Sequence, residues 1–120
     1  MTVGKHLLVD FHGCTLPVRA EELRDRLANA ALAAGATVLG SHFHDFADDL
    51  SETHGATAFV MLAESHISAH TWPEHGLAAI DIFMCGKAQA ETALDHLRLS
   101  FAPQSEHVTT HLRGAASSAR

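Results

Sequence analysis

Two apolar runs of strand length constrain this chain more than any other feature: Ala56 to Ala63 (ATAFVMLA) and Leu77 to Met84 (LAAIDIFM). A segment that is apolar at nearly every residue has no polar face to offer to water. Each run therefore predicts an inner strand of a sheet covered on both sides. A chain of 120 residues has the length of one domain, which buries roughly two-thirds of its unfolded surface. Cover for those strands must come from its own helices or from another molecule.

The flanking pattern supplies the remaining elements. Lys5 to Phe11 (KHLLVDF) reads as a strand ended by Gly13. Pro17 suits the first turn of a helix over 18–34, where Leu23, Leu27, Ala30 and Ala34 recur at helical spacing and Gly35 is placed as the cap. Thr37 to Phe46 alternates as a second strand, and Ala47 to His54 (ADDLSETH) is a polar loop. Ile67 to Thr71 continues extended, and Pro73 with Gly76 marks a turn. A helix over 88–101 turns Ala90, Leu94 and Leu97 inward, Pro103 stops it, and His107 to Leu112 is the last strand before a small-residue tail, Gly114 to Arg120. The order β-α-β-β-β-α-β predicts an α+β fold: one domain over 1–120, a two-layer sandwich of a mostly antiparallel sheet with both helices on one face. The other sheet face then needs cover, which a second copy of the chain would supply.

Composition excludes several functions. The net charge is −6 with histidines neutral, and the eight Lys and Arg residues are scattered rather than striped, so nucleic acid is not an expected partner. The start, MTVGKHLLVDFHG, has a short apolar run broken by Asp10 and lacks the h-region of a signal peptide. No stretch approaches the roughly 18 apolar residues of a membrane span. The expected setting is cytoplasmic, where Cys14 and Cys85 are free thiols. Eleven histidines beside two lysines, Lys5 and Lys87, are the unusual feature.

The segment Glu64 to Gly86 (ESHISAHTWPEHGLAAIDIFMCG) concentrates the reactive side chains. Three readings compete for it. The first is a set of polar residues at a sheet edge or subunit contact. The second is a metal site from His66 and His70, with His42 and His44 nearby. On a strand the first two share a face, but four rises of about 3.3 Å put them too far apart to be ligands of one ion, and no Cys-x-x-Cys or His-Glu-x-x-His spacing is present. The third is nucleophilic chemistry on Ser65 or Cys85, assisted by a neighbouring base. Residue types and spacing do not name the electrophile.

Glu64-Ser65-His66, then His70-Thr71-Trp72-Pro73-Glu74, then Asp81-Ile82-Phe83-Met84-Cys85-Gly86 closely resemble the short bacterial S-adenosylmethionine decarboxylases, the pyruvoyl enzymes of spermidine synthesis. His6-Leu7-Leu8 with Phe11, Gly13-Cys14 and Phe43-His44-Asp45-Phe46 match more weakly, and the length and element order agree. The resemblance implies a zymogen that cuts itself autocatalytically between Glu64 and Ser65, giving a β chain 1–64 and an α chain 65–120. Ser65 would attack the Glu64 carbonyl, and elimination and loss of ammonia would leave a pyruvoyl group in its place. His70 is implied as the proton carrier in this processing, with Thr57 in support. In the mature lyase the pyruvoyl ketone would capture the substrate amine as a Schiff base and take the electron-sink role that pyridoxal phosphate plays elsewhere, with no metal and no pyridoxal phosphate. Cys85 is implied as the proton donor in decarboxylation, a task that suits an ordinary thiol, whose pKa is about 8.5. Glu74, Trp72 and Phe46 are implied as substrate-binding residues, through ribose hydroxyls and ring stacking. Each has a plainer alternative, a turn for Trp-Pro-Glu-His-Gly and a core ring for Phe46. The implied assembly is a homodimer acting on a small amino-acid-type substrate.

The chain departs from the family in a longer loop before the apolar strand, in Gly55-Ala56-Thr57-Ala58 there, and in Asp10-Phe11-His12 near the start. These changes bear on the substrate more than on the reaction. S-adenosylmethionine is the expected substrate, with ornithine or arginine as the alternative. A non-catalytic regulatory homologue is a further one, against which the intact Ser65, His70 and Cys85 weigh.

Overall fold

A computed structural model describes residues 3–46 and 55–114. The strands are β1 (Gly4–His12), β2 (Val38–Asp45), β3 (Ala56–Leu62), β4 (Ser65–Trp72), β5 (Leu77–Cys85) and β6 (Ser105–Arg113), and the helices are α1 (Ala20–Ala33) and α2 (Ala90–Phe101). All pairings are antiparallel, in one six-stranded sheet of order β2-β3-β4-β5-β1-β6. Both helices lie against one face of it and against each other. The α+β two-layer sandwich expected from the pattern is the fold found.

The core lies between the helices and that sheet face. Leu23, Leu27, Ala30 and Ala31 of α1 and Ala93, Leu94, Leu97 and Phe101 of α2 are buried against Leu7, Val9, Phe11, Val60, Ile67, Ile80 and Ile82. Alternation along the strands sends every second side chain the other way. On β3 that leaves Phe59 at 41% exposure and Met61 at 48%, so in the single chain the apolar strand is covered on one side only. The open face carries His6, Phe59, His66, Phe83 and Arg113 in mutual ring contact, instead of a second layer.

Most boundaries differ by a residue or two from those the pattern predicts; α2, for example, starts at Ala90 rather than at residue 88. Helix α1 starts at Ala20, three residues beyond Pro17, with Arg19 as N-cap. The extended stretch after Glu64 is a full strand, β4, beginning at Ser65, so the segment before it is a hairpin and not a continuation of β3. Strand β6 runs two residues earlier and one later than expected. The polar loop Ala47 to His54 lies outside the described residues, as does most of the C-terminal tail. Among the described residues both cysteines are free, and no helix is long and apolar enough to cross a membrane.

Candidate active site

Strands β3 and β4 are joined by two residues, Ala63 and Glu64, with Leu62 paired to Ser65 across the turn. Two-residue hairpin turns favour Asn or Gly, whose backbones accept positive φ. This one has neither, and the positive φ falls on Ser65, at 147°. Ser65 and Ala102 are the only non-glycine residues with positive φ among the described residues. Such a conformation stores about 1–3 kcal/mol, held in place by the surrounding sheet.

The carbonyl just before Ser65 is the most strongly hydrogen-bonded group of the turn. Glu64 O accepts the backbone N–H of Cys85 at 3.1 Å and the Cys85 thiol at 2.8 Å. Two donors converging on one carbonyl oxygen draw electron density from its carbon and favour addition there. The Ser65 hydroxyl, 3.9 Å from Cys85 Sγ, sits beside the same group. Cys85 reaches this position because it ends β5, whose register places Met84 opposite Ser65. A cleft of about 220 Å³ opens beside it, walled by Gly4, Gly86, Gln89 and the ion pair of Lys5 with Glu91. That ion pair holds the Glu91 carboxyl below its usual range.

The other candidate residues gather at the opposite end of the sheet. His70 Nδ1 and Thr57 Oγ1 are 2.8 Å apart on paired positions of β4 and β3. The Trp72 ring, 38% exposed, lies 6.2 Å from the His70 ring. Glu74 is exposed on the 3-10 turn Pro73–His75, and the half-buried Phe46 ring packs on His44 at 5.2 Å. Beside Thr57 a shallow concavity of about 300 Å³ is lined by Phe43, His44 and Phe59. Within one chain, therefore, Ser65 and Cys85 form one group, and Thr57, His70, Trp72, Glu74 and Phe46 another. Five strand rises of about 3.3 Å put His70 roughly 16 Å from Ser65 along β4, beyond any proton transfer.

His66, Ser68 and His70 share the open face, as their alternation predicts, while Ile67, Ala69 and Thr71 point to the helices. Burial pushes His6 below the usual histidine range; Asp81 opposes this, and His66, Arg113 and His111 reinforce it. Among the described residues no three His, Cys, Asp or Glu side chains converge as a metal ion would need. One participant had no signature in the sequence: Thr37, whose N–H donates to Glu64 Oε1 at 2.9 Å.

Comparison with known proteins places the chain. Residues 5–114 match the family described as S-adenosylmethionine decarboxylase. The S-adenosylmethionine decarboxylase proenzyme of Aquifex aeolicus (strain VF5) is 40% identical over 116 residues, covering 94% of this chain and 82% of that protein. The proenzyme of the same name from Hydrogenobaculum sp. (strain Y04AAS1) is 42% identical over 105 residues, 85% of this chain and 75% of the relative. The crystal structure of the adenosylmethionine decarboxylase from Aquifex aeolicus VF5 superposes with a TM-score of 0.81 at 36% identity, covering 99% of this chain and 97% of that one. Matched along nearly its whole length in both sequence and fold, this chain belongs to the S-adenosylmethionine decarboxylase family.

Proposed function

We propose that this chain is a precursor that cuts itself between Glu64 and Ser65 and, once cut, decarboxylates S-adenosylmethionine. The observation that carries the reading is the Glu64 carbonyl held by two donors of Cys85 next to a serine with φ 147°. Ser65 Oγ attack on that carbonyl closes a five-membered ring, and the Cys85 N–H and thiol stabilise the negative charge that develops on oxygen. The hydroxyl proton passes to a base and returns to the Ser65 nitrogen as the C–N bond breaks, leaving an ester. Loss of the Ser65 Cα proton then breaks the Cβ–Oγ bond and releases Glu64 as a new carboxylate. The dehydroalanine left behind takes up water and loses ammonia, which places a ketone at the new N-terminus. When formed, that pyruvoyl group supplies a carbonyl for the substrate amine and a sink for the electrons of the broken carbon–carbon bond. Cys85, adjacent to it, is then the proton donor to the substrate carbon.

The proton carrier for processing cannot come from the same chain if it is His70, given the length of β4 between them. A homodimer with the two open faces together would bring His70 and Thr57 of one copy to Ser65 of the other. The exposed Phe59, Met61 and Trp72 on that face support this arrangement, since two such sheets would bury them. Glu74, Trp72 and Phe46, which lie at the His70 end, would line the same composite site from the partner copy and meet the adenosyl part of the substrate.

The test is a denaturing gel and mass spectrum of the purified protein, followed by release of carbon dioxide from S-adenosylmethionine, ornithine and arginine. Two fragments meeting at residues 64 and 65, with release from S-adenosylmethionine alone, are the expected result. A single unsplit chain overturns the enzyme reading, and release from ornithine or arginine only overturns the substrate.

A further inference from the structure

Helix α1 ends in a Schellman turn: Ala36 N–H donates to Ala31 O at 2.9 Å and Gly35 N–H to Leu32 O at 3.1 Å, with Gly35 at φ 81°. This turn delivers Thr37 to the hairpin that contains Glu64. There the Thr37 N–H donates to Glu64 Oε1 at 2.9 Å, its hydroxyl lies 3.5 Å from Oε2, and its carbonyl accepts the Ala63 N–H at 2.9 Å. The same turn reaches the other side of the site, because Ala34 O accepts the Gln89 N–H, at 3.0 Å, from the link that follows Cys85. The residue that offers the carbonyl, and the link four residues beyond the residue that holds it, are thus both fastened to the end of one helix.

We propose that the Glu64 side chain is a positioning group for self-cleavage. Tied at its tip to the Thr37 backbone, it fixes the rotation of the Glu64–Ser65 peptide, so that the carbonyl stays on the two Cys85 donors and Ser65 stays in its unfavourable φ. The inference rests on the proposed cleavage between Glu64 and Ser65. Both carboxylate oxygens face Thr37, so the role is one of reach rather than of charge. Misplacement of a reacting group by about 1 Å is enough to lower a rate about a hundredfold.

Three variants separate reach from charge. Glu64→Gln keeps the length and an acceptor oxygen without the charge, Glu64→Asp keeps the charge one methylene short, and Glu64→Ala keeps neither. Splitting is timed on denaturing gels, with circular dichroism to confirm that each precursor is folded. Hydroxylamine, which cuts the ester, then reports how far the acyl shift has gone. The expected result is splitting of Gln within about threefold of the native rate and of Asp and Ala at least about tenfold slower, with equally little hydroxylamine product. Asp splitting faster than Gln would assign the side chain a charge role and overturn the inference, as would Ala splitting at the native rate. A native chain that never splits removes the cleavage reading and this one together, whereas native splitting beside an unimpaired Ala variant removes this one alone.

Discussion

At Ser65 a side chain that can attack sits on a backbone that has not relaxed. The expected consequence is that Ser65→Ala gives a folded, full-length, inactive chain, since the attacking oxygen is gone while the sheet around it stands; a gel and a thermal melt check both halves. Cys85→Ala removes one of the two donors on Glu64 O but leaves the backbone N–H. Splitting is expected to slow by about 10²-fold, as for loss of one donor to an oxyanion, and decarboxylation to fall further. Cys85→Ser should restore much of the splitting. His6 offers a pH prediction. Its pKa is lowered in the fold by burial, so the unfolded chain binds the proton more readily, and the stability it contributes is full above about pH 6.5 and lost as pH falls through the folded value. Urea midpoints between pH 7.5 and 5.5 should decline for the native chain, and less so for His6→Phe. The reactive residues of this site were legible because serine, cysteine and histidine advertise themselves. The part played by Thr37 was not, because a backbone N–H has no letter in a sequence.

Among the elements, both helices and the apolar strands could be read from period and punctuation, and Gly35, expected as the cap, is the positive-φ residue that follows the actual cap, Ala34. An added Cβ at Gly35 meets nothing within 4 Å, so Gly35→Ala meets only the backbone penalty of a positive φ, about 1–2 kcal/mol, observable as a lower melting temperature. Phe101→Ala, at 0% exposure between α2 and the sheet, is expected to cost about 3–5 kcal/mol. Strand β4 was harder to read as an element. Of its helix-facing positions Ile67, Ala69 and Thr71, only Ile67 is large and apolar, so Glu64-Ser65-His66 looks like the end of a strand rather than the start of one. The place of β1 between β5 and β6 was not legible either, since a pairing between residues some hundred positions apart, such as His6 with His111, leaves no local pattern.

At the scale of the whole molecule the sequence indicated a bare sheet face, and the structure adds that the candidate residues divide between its two ends. A composite site makes a distinct prediction. Neither Ser65→Ala nor His70→Ala chains should split alone, but mixing them as refolded dimers should let the His70→Ala chain split, using the histidine of its neighbour. No splitting in the mixture, together with a monomer in sedimentation, would mean that each chain works by itself. Scission also has a meaning for the sheet. The proposed cut between Glu64 and Ser65 would assign β1, β2, β3 and α1 to one product and β4, β5, β6 and α2 to the other, yet the strand order is β2-β3-β4-β5-β1-β6. Ownership changes three times across the sheet, so the halves are interleaved like the teeth of two combs. Neither can depart as a folded body, and the fragments should co-elute from a native sizing column, parting only in denaturant.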